Sequence, residues 1–193
     1  MKYNDTRQKT IEIGTQIILA KGYHAVGLQE ILTAAGVPKG SFYHYFRSKE
    51  DFGIAIVEYY GRLRSEMMAP ILNNQDLSPK QKLKEMFVIG RDYRVIHGCN
   101  AVCLVGKLGT EMANASEPIR LAVKKEVDRW VNAAAGLIAE AQVQGEISST
   151  YDSQSLAEFI YAAWQGSLTR MQINKDLRSL DIFLTQIFDN LLA

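Results

Sequence analysis

The chain has 193 residues, of which 47% are hydrophobic and 22% are charged, and its net charge at pH 7 is +1. This length suits one globular unit or a small domain joined to a larger one, and the hydrophobic fraction is sufficient for a core. The sequence has no run of about twenty apolar residues and no N-terminal signal segment, so we expect a cytoplasmic protein without a membrane span. Both cysteines are expected to be free thiols, because structural disulfides are rare in cytoplasmic proteins.

The charge is unevenly distributed along the chain. Residues 1–50 carry seven Lys or Arg and four Asp or Glu, a net charge of +3, whereas residues 51–193 carry fifteen and seventeen, a net charge of −2. Phosphate contacts supply much of the affinity of a protein for DNA. The positive excess therefore favours a nucleic-acid-binding role for the N-terminal part.

The first predicted helix covers residues 5–21. Its buried stripe is formed by Ile11, Gly14, Ile17 and Ile18, which recur at helical spacing. Gly22 is expected to end this helix, and Tyr23 can then pack back on the core.

Two short helices around a tight turn are predicted next. Leu28, Ile31, Leu32 and Ala35 share one face of the first, over residues 28–35. Gly36 can end that helix in the left-handed conformation, and Pro38 can open the second one, over about residues 39–45. The second helix carries polar and aromatic side chains suited to phosphates and base edges, with Phe42 and Phe46 as its packing residues. This is the pattern of a helix-turn-helix, whose second helix enters the major groove of DNA.

The segment VPKGSFYHYFRSKEDF, preceded by KGYHAVGLQEI, resembles the DNA-binding domain of the tetracycline-repressor (TetR) family. This resemblance covers roughly the first quarter of the chain. It implies a dimer that binds a palindromic operator in double-stranded DNA. The implied DNA-binding residues are Gly27, Leu28, Gln29, Lys39, Gly40, Ser41, Tyr43, His44 and Lys49. The alternative is a generic three-helix core in which the aromatic residues only pack.

The remainder of the chain is expected to be helical. A capping box at residues 48–51 opens a fourth helix that continues to about Asn73, and Ser78 with Pro79 opens a fifth. Further helices are predicted over residues 101–113, 117–144, 153–174 and 177–192. No alternating strand pattern is present, so the fold should be all-α with about nine helices. We expect a helix-turn-helix domain at 1–48 and a helical ligand-binding and dimerisation domain at 49–193.

The last predicted helix carries an apolar stripe that is too rich for a solvent-facing terminal helix. The TetR family pairs its last two helices with those of a second subunit, and we expect a homodimer formed in the same way. A two-fold dimer can read two half-sites one helical turn apart. The alternative is that these two helices close the core of a monomer.

Cys103 lies near the start of the predicted sixth helix, where the helix dipole stabilises a thiolate, and Lys107 lies one turn further on. Cys99 precedes Cys103 by four residues. Three interpretations of the cysteines remain open. The cysteines could be small residues of the core, or Cys103 could be the centre of a sensor of oxidants and electrophiles. The third interpretation is a metal site formed by both cysteines with His97, for which a fourth ligand is not evident.

The same region resembles the N-ethylmaleimide reductase repressor (NemR) branch of the TetR family. In that branch a cysteine in the pattern GCL-x-x-KL-x-x-E senses reactive electrophiles. The matching residues here are Cys103, Leu104, Lys107, Leu108 and Glu111. The chain departs from the pattern at Val102, which replaces Gly, and in having Cys99. A lysine on the eighth helix of that branch can engage the oxidised cysteine, and Lys175 is the nearest candidate here.

A small apolar inducer is a second candidate trigger. Aromatic and Met side chains of the helical region could line its pocket, although such residues are more often core: Tyr93, Met112, Trp130, Phe159, Tyr161 and Trp164. No cofactor motif is present, so we expect no cofactor. The resemblance implies a transcriptional regulator, specifically a repressor, rather than an enzyme. The rival functions are a thiol-dependent redox enzyme using Cys103 and Cys99, and a non-specific architectural DNA-binding protein.

Overall fold

The computed structural model describes residues 3–193, so the first two residues of the expected 1–48 domain lie outside the described residues. Nine α-helices follow one another, and no strand occurs in this described part of the chain. They are α1 (Tyr3–Lys21), α2 (Leu28–Ala35), α3 (Lys39–Tyr45), α4 (Lys49–Leu72), α5 (Pro79–His97), α6 (Leu104–Met112), α7 (Glu117–Val143), α8 (Ser153–Asn174) and α9 (Arg178–Thr185). The expected all-α fold is confirmed.

Local sequence signals set several of the helix ends. Gly22 and Gly36 follow α1 and α2 with φ of +94° and +68°, a left-handed conformation that glycine adopts without steric cost. At the start of α5, the Ser78 hydroxyl accepts a hydrogen bond from the Gln81 amide, and the Gln81 side chain accepts one from the Ser78 amide. Pro79 occupies the first helical position, where a missing N–H costs nothing.

Two helix boundaries differ from the expected ones by three residues or more. Helix α6 begins at Leu104 instead of Ala101, because Ala101 donates its amide hydrogen to Gly98 in a turn and Cys103 is the extended N-cap residue. The last helix was expected to run to Leu192, but α9 ends at Thr185 and a π-helical segment, Gln186–Leu191, follows it. Hydrophobic spacing alone does not distinguish these two helical geometries.

The structure divides into two compact units. One contains the described residues up to Arg64 together with Cys103–Glu126, and the other contains Ser65–Val102 and Val127–Ala193. Helices α4 and α7 therefore each contribute residues to both units. This division differs from a single cut of the chain near residue 48, because α6 and the start of α7 belong with the helix-turn-helix.

The core of the first unit contains three closely packed phenylalanine rings. The ring centroid of Phe42 lies 5.1 Å from that of Phe46 and 5.6 Å from that of Phe52, and all three side chains are buried. A Cβ atom added to Gly14 would lie 2.4 Å from the Phe52 ring, so the absence of a side chain lets α1 approach α4. These contacts hold the short helix α3 in place.

The core of the second unit is built around Phe87 on α5. The rings of Trp130, Trp164, Phe183 and Phe188 surround it at centroid distances of 4.9 to 5.9 Å. Edge-to-face and tilted arrangements at these distances are the favourable ones for aromatic pairs. Within residues 3–193, no helix has the length and apolarity needed to cross a membrane.

Candidate DNA interface and sensing region

Helix α3 presents polar and aromatic side chains on the face opposite its packing residue. Phe42 is fully buried, whereas Lys39, Gly40, Tyr43 and His44 are exposed. Tyr43 keeps 54% of its surface accessible and meets Phe42 edge-on, with ring centroids 5.4 Å apart. Ser41, the remaining predicted contact on this helix, is half-buried. The arrangement leaves a short helical face available to base edges and phosphates.

The start of α2 is a second open surface. Gly27 is the N-cap residue in extended conformation, Leu28 is half-buried and Gln29 is exposed. A Cβ atom built on Gly27 or Gly40 would meet no neighbouring side chain within 4 Å among the described residues. Amide hydrogens at the start of a helix are not used within that helix and suit a phosphate oxygen. The local geometry of α2 is therefore compatible with the predicted contacts.

Lys49 has a different role from the predicted phosphate contact. Its ammonium group donates hydrogen bonds to the main-chain carbonyls of Tyr23 at 2.8 Å and Val26 at 2.5 Å. It also lies 4.5 Å from the centroid of the Tyr23 ring. Burial lowers the pKa of Lys49, although the nearby Glu111 carboxylate acts in the opposite direction. A phosphate contact by Lys49 would require these two hydrogen bonds to break.

Arg47 is an exposed cation next to α3 that the sequence reasoning left out. It lies two residues after the end of α3, and its amide donates to the Asp51 carboxylate at 2.9 Å, while the Asp51 amide donates to the Ser48 hydroxyl at 3.0 Å. These bonds form the expected cap of α4 and fix the Arg47 main chain. The signal that could have identified Arg47 is its position just beyond the C-cap residue of the recognition helix.

Cys103 and Cys99 are both half-buried free thiols. Cys103 is the N-cap residue of α6, with φ −85° and ψ 117°, and it belongs to the first unit, whereas Cys99 belongs to the second. In the described part of the chain, no three His, Cys, Asp or Glu side chains are grouped closely enough to hold a metal ion. His97 instead stacks on Tyr93, with ring centroids 4.2 Å apart.

Two charged side chains of α6 bind the main chain at the end of α1. The Lys107 ammonium donates to the Leu19 carbonyl at 2.9 Å. Its hydrogen bond therefore goes to the main chain of α1, and not to the Cys103 thiolate beside which the sequence places it. The Glu111 carboxylate accepts hydrogen bonds from the amides of Tyr23 at 2.7 Å and His24 at 3.3 Å. These side chains connect the segment that begins at Cys103 to the helix-turn-helix.

Lys175, the predicted partner of an oxidised cysteine, lies at the end of α8 in the left-handed conformation, with φ +58°. Its ammonium donates to the Asn100 side-chain oxygen at 2.8 Å. Asn100 follows Cys99 directly in the sequence. The lysine is therefore bound to the segment that connects α5 with α6.

The structure brings together three of the six predicted ligand-pocket residues. Trp130, Tyr161 and Trp164 belong to the aromatic cluster around Phe87, with the Trp130 and Tyr161 rings 5.3 Å apart. Of the other three, Tyr93 and Phe159 are exposed, and Met112 is buried in the first unit.

A buried cation that sequence spacing does not reveal adjoins this aromatic cluster. Arg94 is only 4% exposed, its guanidinium lies 5.7 Å from the Trp164 ring centroid, and it donates to the Gly90 carbonyl. A Cβ atom on Gly90 would lie 3.0 Å from Trp164, so glycine permits this packing.

The outer faces of α8 and α9 carry exposed apolar side chains. Phe159, Ile173 and Ile182 keep 57%, 67% and 50% of their surfaces accessible. The inner face of α9, represented by Leu180 and Phe183, is buried. One stripe of these helices therefore closes the core of the second unit, and another apolar stripe remains uncovered in a single chain.

Comparison with known proteins gives the family. Residues 11–56 match the family described as bacterial regulatory proteins of the tetR family, and residues 79–187 match the tetracyclin repressor-like C-terminal domain. The transcriptional regulator AcuR of Cereibacter sphaeroides is 37% identical, over 86% of this chain and 76% of its own length. The transcriptional repressor DhaR of a Mycobacterium species is 33% identical, over 100% of this chain and 95% of its own.

The transcriptional repressor NemR of Escherichia coli is 30% identical, over 95% of this chain and 92% of its own length. The crystal structure of its reduced form has a TM-score of 0.90 at 28% identity, covering 98% of this chain and 97% of that one. This similarity supports the predicted resemblance to the NemR branch. These relatives carry the names of regulators or repressors and not of enzymes. The chain belongs to the TetR family and is a DNA-binding transcriptional regulator.

Proposed function

We propose that the protein is a repressor that binds a palindromic operator as a homodimer and leaves it when a small molecule binds or Cys103 is modified. The observation that carries this proposal is the exposed face of α3, held in place by the buried Phe42. Residues 1–48 act as the DNA-binding domain and residues 49–193 as the regulatory and dimerisation domain. Lys39, Tyr43 and His44 are the main contacts, with Arg47 as an added phosphate contact.

The proposed dimer uses the uncovered apolar stripe on α8 and α9. Phe159, Ile173 and Ile182 leave exposed apolar surface that a second copy can bury. Gly166 is also exposed on α8, and a Cβ atom there would meet no side chain within 4 Å in the described chain, so a partner helix can approach closely. An operator with two-fold symmetry mirrors the symmetry of such a dimer.

The proposed covalent trigger is addition of Cys103 to an α,β-unsaturated carbonyl compound. The thiolate sulfur forms a bond to the β-carbon, the carbon–carbon double bond opens, and the α-carbon takes up a proton, so no oxidant is needed. Cys103 is half-buried at the N-cap of α6, where an adduct would alter the start of the helix. A non-covalent inducer contacting Trp130, Tyr161 and Trp164 is the second trigger.

The test is operator binding by fluorescence anisotropy on DNA upstream of the protein's own gene, with scrambled DNA of equal length as the comparison. N-ethylmaleimide is titrated against the native protein and Cys103→Ser in parallel. Release of the native protein alone supports the covalent trigger. Equal affinity for both DNAs contradicts the proposed repressor and favours an architectural protein. Catalytic turnover of peroxide would favour the thiol enzyme.

A further inference from the structure

The corner between α1 and α2, residues 19–26, has main-chain groups that its own helices do not bind. A helix leaves its last carbonyls and first amides without intrahelical partners. Here the Leu19 carbonyl accepts from Lys107, the Tyr23 and His24 amides donate to Glu111, and the Tyr23 and Val26 carbonyls accept from Lys49. Side chains of α4 and α6 therefore complete the hydrogen bonding of this corner.

Lys107 and Glu111 reach the corner from the same face of α6. They are four residues apart, one helical turn, and point to neighbouring positions. Leu104 and Leu108 on the same helix are fully buried in the first unit, so α6 is fixed by apolar packing as well as by its charged side chains. Helix α6 thus contacts the α1–α2 corner through polar side chains and is held within the first unit by its buried leucines.

The fit at Gly22 is close. This residue has φ of +94°, and a Cβ atom there would lie 2.7 Å from the Glu111 carboxylate oxygen. Glycine therefore serves both the left-handed turn and the approach of Glu111. A second bond attaches the same turn to α6, since the His24 ring nitrogen lies 3.3 Å from the Glu111 carbonyl oxygen.

We propose that Lys107 and Glu111 are positioning residues that clamp the α1–α2 corner to α6, so that a change at the start of α6 moves the DNA-binding helices. The inference rests on the proposed function, because that function places a trigger at Cys103. It assigns Lys107 to this clamp in place of a role beside the thiol. Tyr43 and Lys39 contact DNA, whereas Lys107 and Glu111 act through the corner that carries α2.

Hydrogen–deuterium exchange of residues 19–26 tests the clamp without DNA. In a Cys99→Ser background, labelling Cys103 with N-ethylmaleimide should increase exchange in this segment at least tenfold. Glu111→Ala should increase it similarly before labelling and show no further increase afterwards. Glu111→Gln, which keeps a carbonyl oxygen as acceptor, should stay within about threefold of the parent. Thr110→Ala, whose hydroxyl bonds to the Gly106 and Lys107 carbonyls of its own helix, should behave as the parent.

Operator affinity of the same proteins gives the functional readout. The ratio of Kd after and before labelling should fall at least tenfold in Lys107→Met/Glu111→Ala relative to the parent and to Thr110→Ala. Complete labelling without increased exchange at residues 19–26, or an equal Kd ratio in all three proteins, overturns the clamp. A parent that fails to bind any operator refutes the proposed function, and the exchange measurement still decides the clamp.

Discussion

Replacing Lys49 by methionine separates an anchoring role from a DNA-binding role for this residue. The substitution keeps the length of the side chain and removes two hydrogen bonds, to the carbonyls of Tyr23 and Val26. A hydrogen bond to a charged group contributes about 1.5–3 kcal/mol when it is well buried. Lys49 is half-buried, so the lower end, about 1.5 kcal/mol, applies to each bond, and the expected loss of unfolding free energy is about 3 kcal/mol.

The assay combines urea unfolding with the salt dependence of operator binding. Lys39→Met is the matched control, because Lys39 is exposed on α3 and should change stability by less than about 0.5 kcal/mol. Each lost phosphate contact lowers the slope of log K against log salt by about 0.9. We expect Lys39→Met to lower the slope and Lys49→Met to lower only the stability. A Lys49→Met protein of native stability with a reduced slope would refute the anchoring role.

Tyr43→Ala is expected to abolish operator binding and leave the dimer intact in size-exclusion chromatography, whereas loss of both would mean that Tyr43 is a core residue. Burial, with Glu50 as a smaller cause, raises the pKa of Tyr23 from 10.0 to about 12. The neutral phenol of the folded state therefore contributes stability that is complete below pH 10 and is lost as pH rises through about 12. Urea denaturation at pH 9 and at about pH 11.5 should show this decline in the free energy of unfolding. An identical decline in Tyr23→Phe would contradict the assignment to Tyr23. Phe159→Glu/Ile182→Glu should give monomers with weak operator binding, while Val143→Glu, at an even more exposed apolar position on α7, should remain dimeric.

The features that could be predicted from sequence are those with local causes. Gly22 and Gly36 end their helices because a left-handed residue is needed one position after the last helical residue. Ser78 and Pro79 open α5 through bonds that span three residues. The exposed face of α3 follows from helical spacing once Phe42 is taken as the packing residue. Each of these inferences needs only a short window of the chain.

The features that could not be predicted depend on partners far away in the sequence. Lys107 lies 88 residues from Leu19, the carbonyl that it binds, and Lys49 lies 26 residues from Tyr23. Lys49 is the first residue of α4 and Lys107 lies in the first turn of α6, positions where a solvent or phosphate contact is a reasonable expectation. Only the folded arrangement shows that main-chain carbonyls take these ammonium groups, and the same holds for the buried position of Arg94.

Several basic residues of the N-terminal segment contact other groups of the protein, and this limits how one subunit can bind DNA. Lys49 binds two carbonyls, Lys21 pairs with Glu30 at 2.5 Å, and Arg7 lies over the Phe46 ring at 5.2 Å. The net charge of +3 over residues 1–50 therefore overstates the charge that α3 can bring to phosphates. Because affinity rises with the number of phosphate contacts, a single copy has few means to bind tightly. Two copies on adjacent half-sites double both the phosphate and the base contacts, so a substitution that separates the two subunits should also weaken operator binding.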